Sequence, residues 1–347
     1  ADGDAIHEAA NYVITAEFQG TSQVGISASG DTPLTVTKAA PALTVTLPGS
    51  GTVTVGDTGN IRAVVSGSPS NRLDDSPARL KFFDGATELA SLTVSNLGSG
   101  VLGADFSVSS LNAGAYSITV EYVANAYFTG TTSSAQTLTV NKYSPSITVN
   151  TITAVQVGND LTISSTLQCG GGACSGVRDH AGGSVSFYKD SVSATNLLAT
   201  DTSISAGGTA SITVSTGDAL LLPAAGTAYS IVAAFNGDAT NGNLNAVTSS
   251  SSSVTLTKRT PAVTVPNQSQ PIGTTITLTA TVTSGSASVS PDCSACVQFK
   301  VGALQSSAVA IGTPQNVASG TANLTGVTTG GGTGTFGSSG GYVIWAE

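Results

Sequence analysis

The chain reads as all-β, a tandem series of antiparallel β-sandwiches, and three observations predict this. Only 9% of its 347 residues are charged, and helix-favouring side chains are scarce beside abundant Ser, Thr and Val and 41 Gly, a composition of strand and turn formers. One strand–linker–strand string occurs three times, as LTVTKAAPALTVT, LTVNKYSPSITVN and VTLTKRTPAVTVP, and self-similarity at a long period marks repeated modules. Within each period apolar residues alternate with polar ones, as in NIRAVVSG, DLTISSTL and TITLTATV, which is the period of a half-buried strand.

The repeated string sets the boundaries. It places Lys38, Lys142 and Lys258 at one position and Pro41, Pro145 and Pro261 at another, with periods of 104 and 116 residues. The predicted units are therefore 1–38, 39–142, 143–258 and 259–347. A second signature stands ahead of each joint, as YVITAEF, YSITVEY, YSIVAAF and YVIWAE, beginning at Tyr12, Tyr116, Tyr229 and Tyr342. Gly56, Gly158 and Gly273 precede the alternating strands, and Phe82, Phe187 and Phe299 align in LKFFDG, VSFYKD and VQFKVG. Together these give about seven short strands per period, separated by turn residues as in a sandwich.

Their order fits an immunoglobulin-type Greek key, with Pro ahead of strand A, Phe on strand C where antibody domains carry Trp, and Tyr opening strand F. Tyr116 and Tyr229 are expected to form tyrosine corners, ring in the core and hydroxyl bonded to nearby backbone. Two residues further on, where antibodies carry Cys, stand Ile14, Ile118, Ile231 and Ile344. Aliphatic packing then replaces the inter-sheet disulfide, at roughly 1.5 to 3 kcal/mol per buried large side chain.

The tyrosine strand, the V-x-F strand and the L-T-V-x-K exit together resemble the bacterial Ig-like domain families found in tandem on large secreted and surface-displayed proteins. The resemblance covers nearly the whole chain. It implies tandem immunoglobulin-like Greek-key sandwiches in an elongated rod, serving as stalk, adhesin or filament architecture rather than as an enzyme.

Against the repeat, residues 1–38 supply strands F and G alone, and 259–347 stops within strand F. A sandwich without strand G has an open edge and about four uncovered core side chains, a loss of roughly 6 to 12 kcal/mol, comparable with a whole domain's stability. Either the N-terminal strands of a neighbouring copy complete the last unit, giving a head-to-tail homopolymer, or the chain is a window of a longer repeat protein. The first reading makes Tyr12, Ile14, Phe18, Leu34 and Val36 contacts on the donating side and Tyr342, Ile344 and Trp345 contacts on the accepting side. A third reading is the stalk of an adhesin that holds a cell-surface glycan or protein.

Cys169 with Cys174, and Cys293 with Cys296, fall between strands B and C of their repeats. They are expected to form loop disulfides adding about 2 kcal/mol each, in an extracellular or cell-surface setting. No cofactor and no metal site are expected: Asp179 and His180 beside the first pair lack a zinc spacing, and Asp2 with Asp4, or Asp74 with Asp75, make no calcium loop. His7 and His180 are the only histidines, neither in a nucleophile–base pattern. Asp84 and Glu88 read as an exposed hairpin rather than a glycosidase pair. A net charge of −9 with scattered basic residues argues against nucleic acid. No apolar run reaches the roughly 18 residues that membrane insertion as a helix requires.

Overall fold

The computed structural model describes residues 9–76, 78–215, 228–286, 290–330, 336 and 340–347; Asp2, Asp4 and His7 lie outside the described residues. Among the described residues the regular structure is strands and short 3-10 turns. The chain divides into two compact units, Ala1–Pro145 with Gln168–Gly183 and Asn236–Val247, and Ser146–Leu167 with Ser184–Phe235 and Thr248–Glu347.

The first unit begins with a ribbon of β1 (Asn11–Ile14), β2 (Glu17–Phe18), β3 (Ser27–Ala28) and β4 (Thr32–Thr35). In it β1 pairs with β4 and β2 with β3, both antiparallel. The first sandwich follows as β5 (Ala42–Thr46), β6 (Thr52–Thr54), β7 (Asn60–Ser66), β8 (Arg79–Asp84), β9 (Thr87–Thr93), β10 (Ser95–Asn96), β11 (Leu102–Ser107), β12 (Gly114–Tyr122), β13 (Thr131–Thr132) and β14 (Gln136–Asn141). One sheet has the order β10-β11-β7-β5, the other β6-β14-β12-β8-β9 with β13 on β12. This is the immunoglobulin-like Greek-key arrangement, with strands A, B, E and D facing C, F and G.

The alternation seen in the sequence fills its core. Ile61, Ala63 and Val65 from β7 face Leu80, Phe82, Ile118, Val120 and Leu138, each of them at most 2% exposed. Strand A is split, because Pro48 and the left-handed Gly49 and Gly51 (φ 55° and 91°) turn the chain out of the first sheet. Its second half, β6, then runs parallel to β14, with Val53 opposite Val140.

The second unit holds the strands of the second sandwich: β15 (Ser146–Val149), β16 (Val155–Gln156), β17 (Asp160–Gln168), β18 (Val185–Lys189), β19 (Leu197–Asp201), β20 (Thr209–Ser215), β21 (Ala228–Phe235), β22 (Val247–Thr248) and β23 (Ser252–Thr257). The orders are β15-β17-β20 and β16-β23-β21-β18-β19, with β22 on β21. Phe187, Ile231 and Leu161 anchor this core.

The last repeat contributes β24 (Ala262–Thr264), β25 (Thr275–Thr283), β26 (Cys293–Val301), β27 (Val309–Ala318), β28 (Thr321–Thr328) and β29 (Ile344–Ala346). These form one six-stranded path, β24-β25-β28-β27-β26-β29. The ten-residue β27 joins both faces, pairing with β28 at its C-terminal end and with β26 along the rest. Its buried Ile311 and Val317 pack with Phe299, Leu278 and Leu324. Among the described residues β29 pairs with β26 alone, so its other edge carries no strand.

Candidate functional site

The N-terminal ribbon has the strand F to strand G register of a complete sandwich without the second sheet that would cover it. Tyr12 stands opposite Leu34, as Tyr116 stands opposite Leu138 and Tyr229 opposite Val254. Where Ile118 and Leu138 are fully buried, Ile14 is 41% and Leu34 38% exposed. Phe18 is exposed too, whereas Tyr12 and Val36 are half-buried. The Val36 amide donates to the Ala10 carbonyl at 2.9 Å, extending the ribbon by one rung. A two-stranded ribbon with an uncovered apolar face is marginal by itself.

The last repeat carries the reciprocal feature, a groove of about 550 Å³. It is lined by Val265–Gln270 and Ile272, by Ile276 and Leu278 of β25, by Phe336, and by Tyr342–Ile344. In the first sandwich the corresponding place, between β6 and β12, is filled by β14. The Tyr342 ring stands edge-on to Phe336, with centroids 4.9 Å apart. The inner edge of β29 is secured: Gln298 and Glu347 exchange backbone hydrogen bonds, Lys300 pairs with the Glu347 carboxylate, and Trp345 Nε1 donates to the Gly302 carbonyl at 3.0 Å. The Lys300 partner holds the Glu347 carboxyl below its ordinary range. Ile344 and Trp345 are half-buried and Tyr342 is exposed. Trp345 thus spends its polar atom within its own repeat.

Tyr116 Oη donates to the Asn112 carbonyl, four residues upstream, at 2.9 Å. Tyr229 is buried beneath the Lys189 ammonium, 4.9 Å from the ring centroid. Burial pushes both phenols up. A third tyrosine, Tyr122, is fully buried, donates to the Leu73 carbonyl at 3.0 Å, and is pushed up to about 12 by burial and then by Asp75 and Asp74.

Two further polar residues escaped the sequence reading. The Asn125 carboxamide oxygen accepts from the Tyr127 and Phe128 amides, and Asp238 accepts from the Asn243 and Leu244 amides. Each bracket presents its loop to the linker residue after the repeated lysine: Ala39 bridges to Phe128 and Tyr143 to Leu244. The available signal was an Asn or Asp three residues past the tyrosine strand, weak because such residues are common in turns.

Cys169 and Cys174 are disulfide-bonded with Cα atoms 4.9 Å apart, and Gly170 and Gly171 between them have φ of 68° and 87°. Cys293 and Cys296 are bonded with Cα atoms 6.0 Å apart. The second pair does not occupy a loop between strands, as expected from the sequence, but the start of β26 itself. There Ala295 adopts φ 49° and the register against β27 slips between Cys293 and Val297. The bulge and the left-handed Ala295 bring the two Cα atoms within disulfide reach inside the strand. His180 is buried, and its Nε2 has no hydrogen-bond partner among the described residues. No group of three or more metal-ligating side chains occurs among the described residues. Asp84 accepts from the Ser117 amide on β12, and Glu88 pairs with Lys81 at 3.3 Å across the β8–β9 hairpin. No described helix is long and apolar enough to cross a membrane.

No protein-family model matches the chain, and no curated protein matches it in sequence. Among solved structures it is similar to a tetra-tandem repeat from the extending region of a large adhesion protein, with 18% identity, a TM-score of 0.39, and coverage of 92% of this chain and 74% of that one. The Escherichia coli adhesin FdeC gives 15% identity and a TM-score of 0.25, over 83% of this chain and 88% of that one. The FN1–FN3 domains of chicken CNTN1 give 13% identity and a TM-score of 0.24, over the same shares.

Proposed function

We propose that the chain is a structural repeat segment of an extracellular bacterial surface fibre, assembled head to tail by strand donation. One observation carries the reading: ribbon and groove are the two halves of the contact that β14 makes inside the first sandwich. In the assembly β4 exchanges β1 for β29 of a neighbouring copy. Both partners offer the same tyrosine signature, so Leu34 passes from its place opposite Tyr12 to one opposite Tyr342 with its phase unchanged. Leu34 and Val36 then take the positions of Leu138 and Val140, which are 0% and 3% exposed. Full burial of each contributes about 1.5 to 3 kcal/mol, and the open edge of β29 gains main-chain partners.

Two disulfides among the described residues and the absence of free cysteine there support the extracellular setting. Contacts of this kind, related by an operation that does not close, extend into a fibre.

Sedimentation velocity of the chain at rising concentration tests the reading. Concentration-dependent oligomers are expected, abolished by Val36→Asp. A chain that stays monomeric yet binds a synthetic peptide of residues 32–38 in the groove would instead favour a strand supplied by a continuing polypeptide. A monomer that ignores the peptide would overturn strand acceptance altogether.

A further inference from the structure

At each joint within a unit, an arginine is bonded to the same carbonyl. Val55 and Val157 occupy equivalent positions, one residue before the left-handed Gly56 and Gly158 (φ 80° and 87°). Their amides hold the end of strand G in the same way, Val55 N donating to Asn141 O and Val157 N to Thr257 O. Their own carbonyls each receive a guanidinium. Arg178 Nε donates to Val55 O at 2.8 Å, and Arg259 Nε donates to Val157 O at 2.7 Å.

The two arginines come from different places. Arg178 ends the 3-10 turn Gly176–Arg178 ahead of β18 and lies over the Tyr143 ring, 4.1 Å from its centroid. Arg259 sits in the linker, at the position Tyr143 holds one repeat earlier. The described residues between β25 and β26 contain no arginine that could take the part of Arg178. The chemistry at the carbonyl is thus kept while its source moves, as expected if the bond fixes how one repeat follows the next.

The third position of this kind is Ile272, before Gly273 (φ 83°). A methyl group at Gly56 would fall 2.6 Å from Arg178 Nε, whereas one at Gly273 would meet no atom within 4 Å. The left-handed turn recurs and the space beside it is open, at the groove into which strand donation would bring Thr37 and Lys38, which follow β4. The first sandwich carries the matching arginine. Arg72 ends the 3-10 turn Ser70–Arg72, as Arg178 ends its own. Its linker position is Ala39, without a ring, but the Tyr127 ring lies 5.1 Å from the guanidinium. Arg72 keeps 41% of its side chain exposed, and among the described residues its one ion pair is a long contact, 3.5 Å, with Asp75.

We infer that Arg72 of a donating copy bonds the Ile272 carbonyl of the accepting copy, a second contact that fixes orientation once β4 is seated. This rests on the strand-donation reading, and the test separates the two. Sedimentation equilibrium of the full chain is compared with Val36→Asp, Arg72→Ala and, as a control for charge, Arg79→Ala. Circular dichroism checks that each variant is folded. Loss of association in Val36→Asp, about tenfold weaker association in Arg72→Ala, as for one charge-assisted hydrogen bond, and no change in Arg79→Ala would bear the inference out. Loss in Val36→Asp with Arg72→Ala at wild-type strength would overturn this inference and leave strand donation standing; no effect of Val36→Asp would overturn both.

Discussion

The first and last sandwiches begin from nearly the same strand F string and reach different structures. In the first, YSITVEY lies within the nine-residue β12, held between β8 and β14, and Ile118 is fully buried. In the last, YVIWAE yields the three-residue β29, paired on one side, and Ile344 is half-buried. The strand signature is therefore insufficient by itself. A second neighbour turns a phased string of Tyr, Ile and Ala into a full-length strand, because a one-sided ladder leaves its outer backbone groups to water.

The largest expected effect tests this contrast at the core. Phe82 and Phe299 are equivalent and both fully buried, and Phe→Ala in a core costs about 3 to 5 kcal/mol. Phe82→Ala should lower one calorimetric transition while leaving a distinct first sandwich. Phe299→Ala, in a sandwich already short of a strand, should abolish the cooperative transition of the last repeat. Equal, merely shifted transitions in both variants would show that the missing neighbour matters little to stability.

A smaller effect concerns the polar contact inside the complete sandwich. Tyr122→Phe leaves the buried Leu73 carbonyl without its partner and should cost about 1 to 3 kcal/mol. The pH dependence has a defined sign. Its folded pKa of about 12 lies above the ordinary value near 10, so its contribution is complete below pH 10 and is lost as pH rises towards 12. Thermal unfolding followed from pH 9 to 12 should show that loss in the wild type and a flatter slope in Tyr122→Phe; identical slopes would contradict the assignment.

The smallest effect is at the surface of the first sandwich. Arg62 and Asp105 form a two-point pair across β7 and β11, with bonds of 2.9 and 2.8 Å, and the guanidinium holds the carboxyl below its ordinary range. That stability is present above about pH 4 and is lost as pH falls through the depressed folded value. Because the Arg62 side chain is exposed, Arg62→Ala should have only a small effect, measurable as a slight lowering of the denaturation midpoint that vanishes in acid.

Much of the fold was legible because its signals are periodic. Alternation in NIRAVVSG marks β7, and Phe82, Phe187 and Phe299 all occupy cores. The register of Tyr12 with Leu34 follows from the repeat of Tyr116 with Leu138. What could not be read depends on partners distant in sequence. The passage of β27 between faces, the split that sends β6 to β14, and the bulge at Cys293–Cys296 leave no periodic trace. Arg178 and Arg259 were hidden for another reason: they answer the same carbonyl from different repeat positions, so aligning the repeats separates them. Asn125 and Asp238 look like any turn residue until their loops are seen closing on Ala39 and Tyr143.

The parallel seam between β6 and β14 has a mechanical consequence. Its rungs, Thr139 with Thr52 through Asn141 with Thr54, run crosswise to tension applied along the strands at the first and last residues of the sandwich. Pulled that way, neighbouring strands load several rungs together in shear rather than opening them singly like a zipper. A repeat whose seam is closed by a neighbour's β4 would take load in the same geometry, and the force needed to extract that strand would approach the force needed to unfold a complete sandwich.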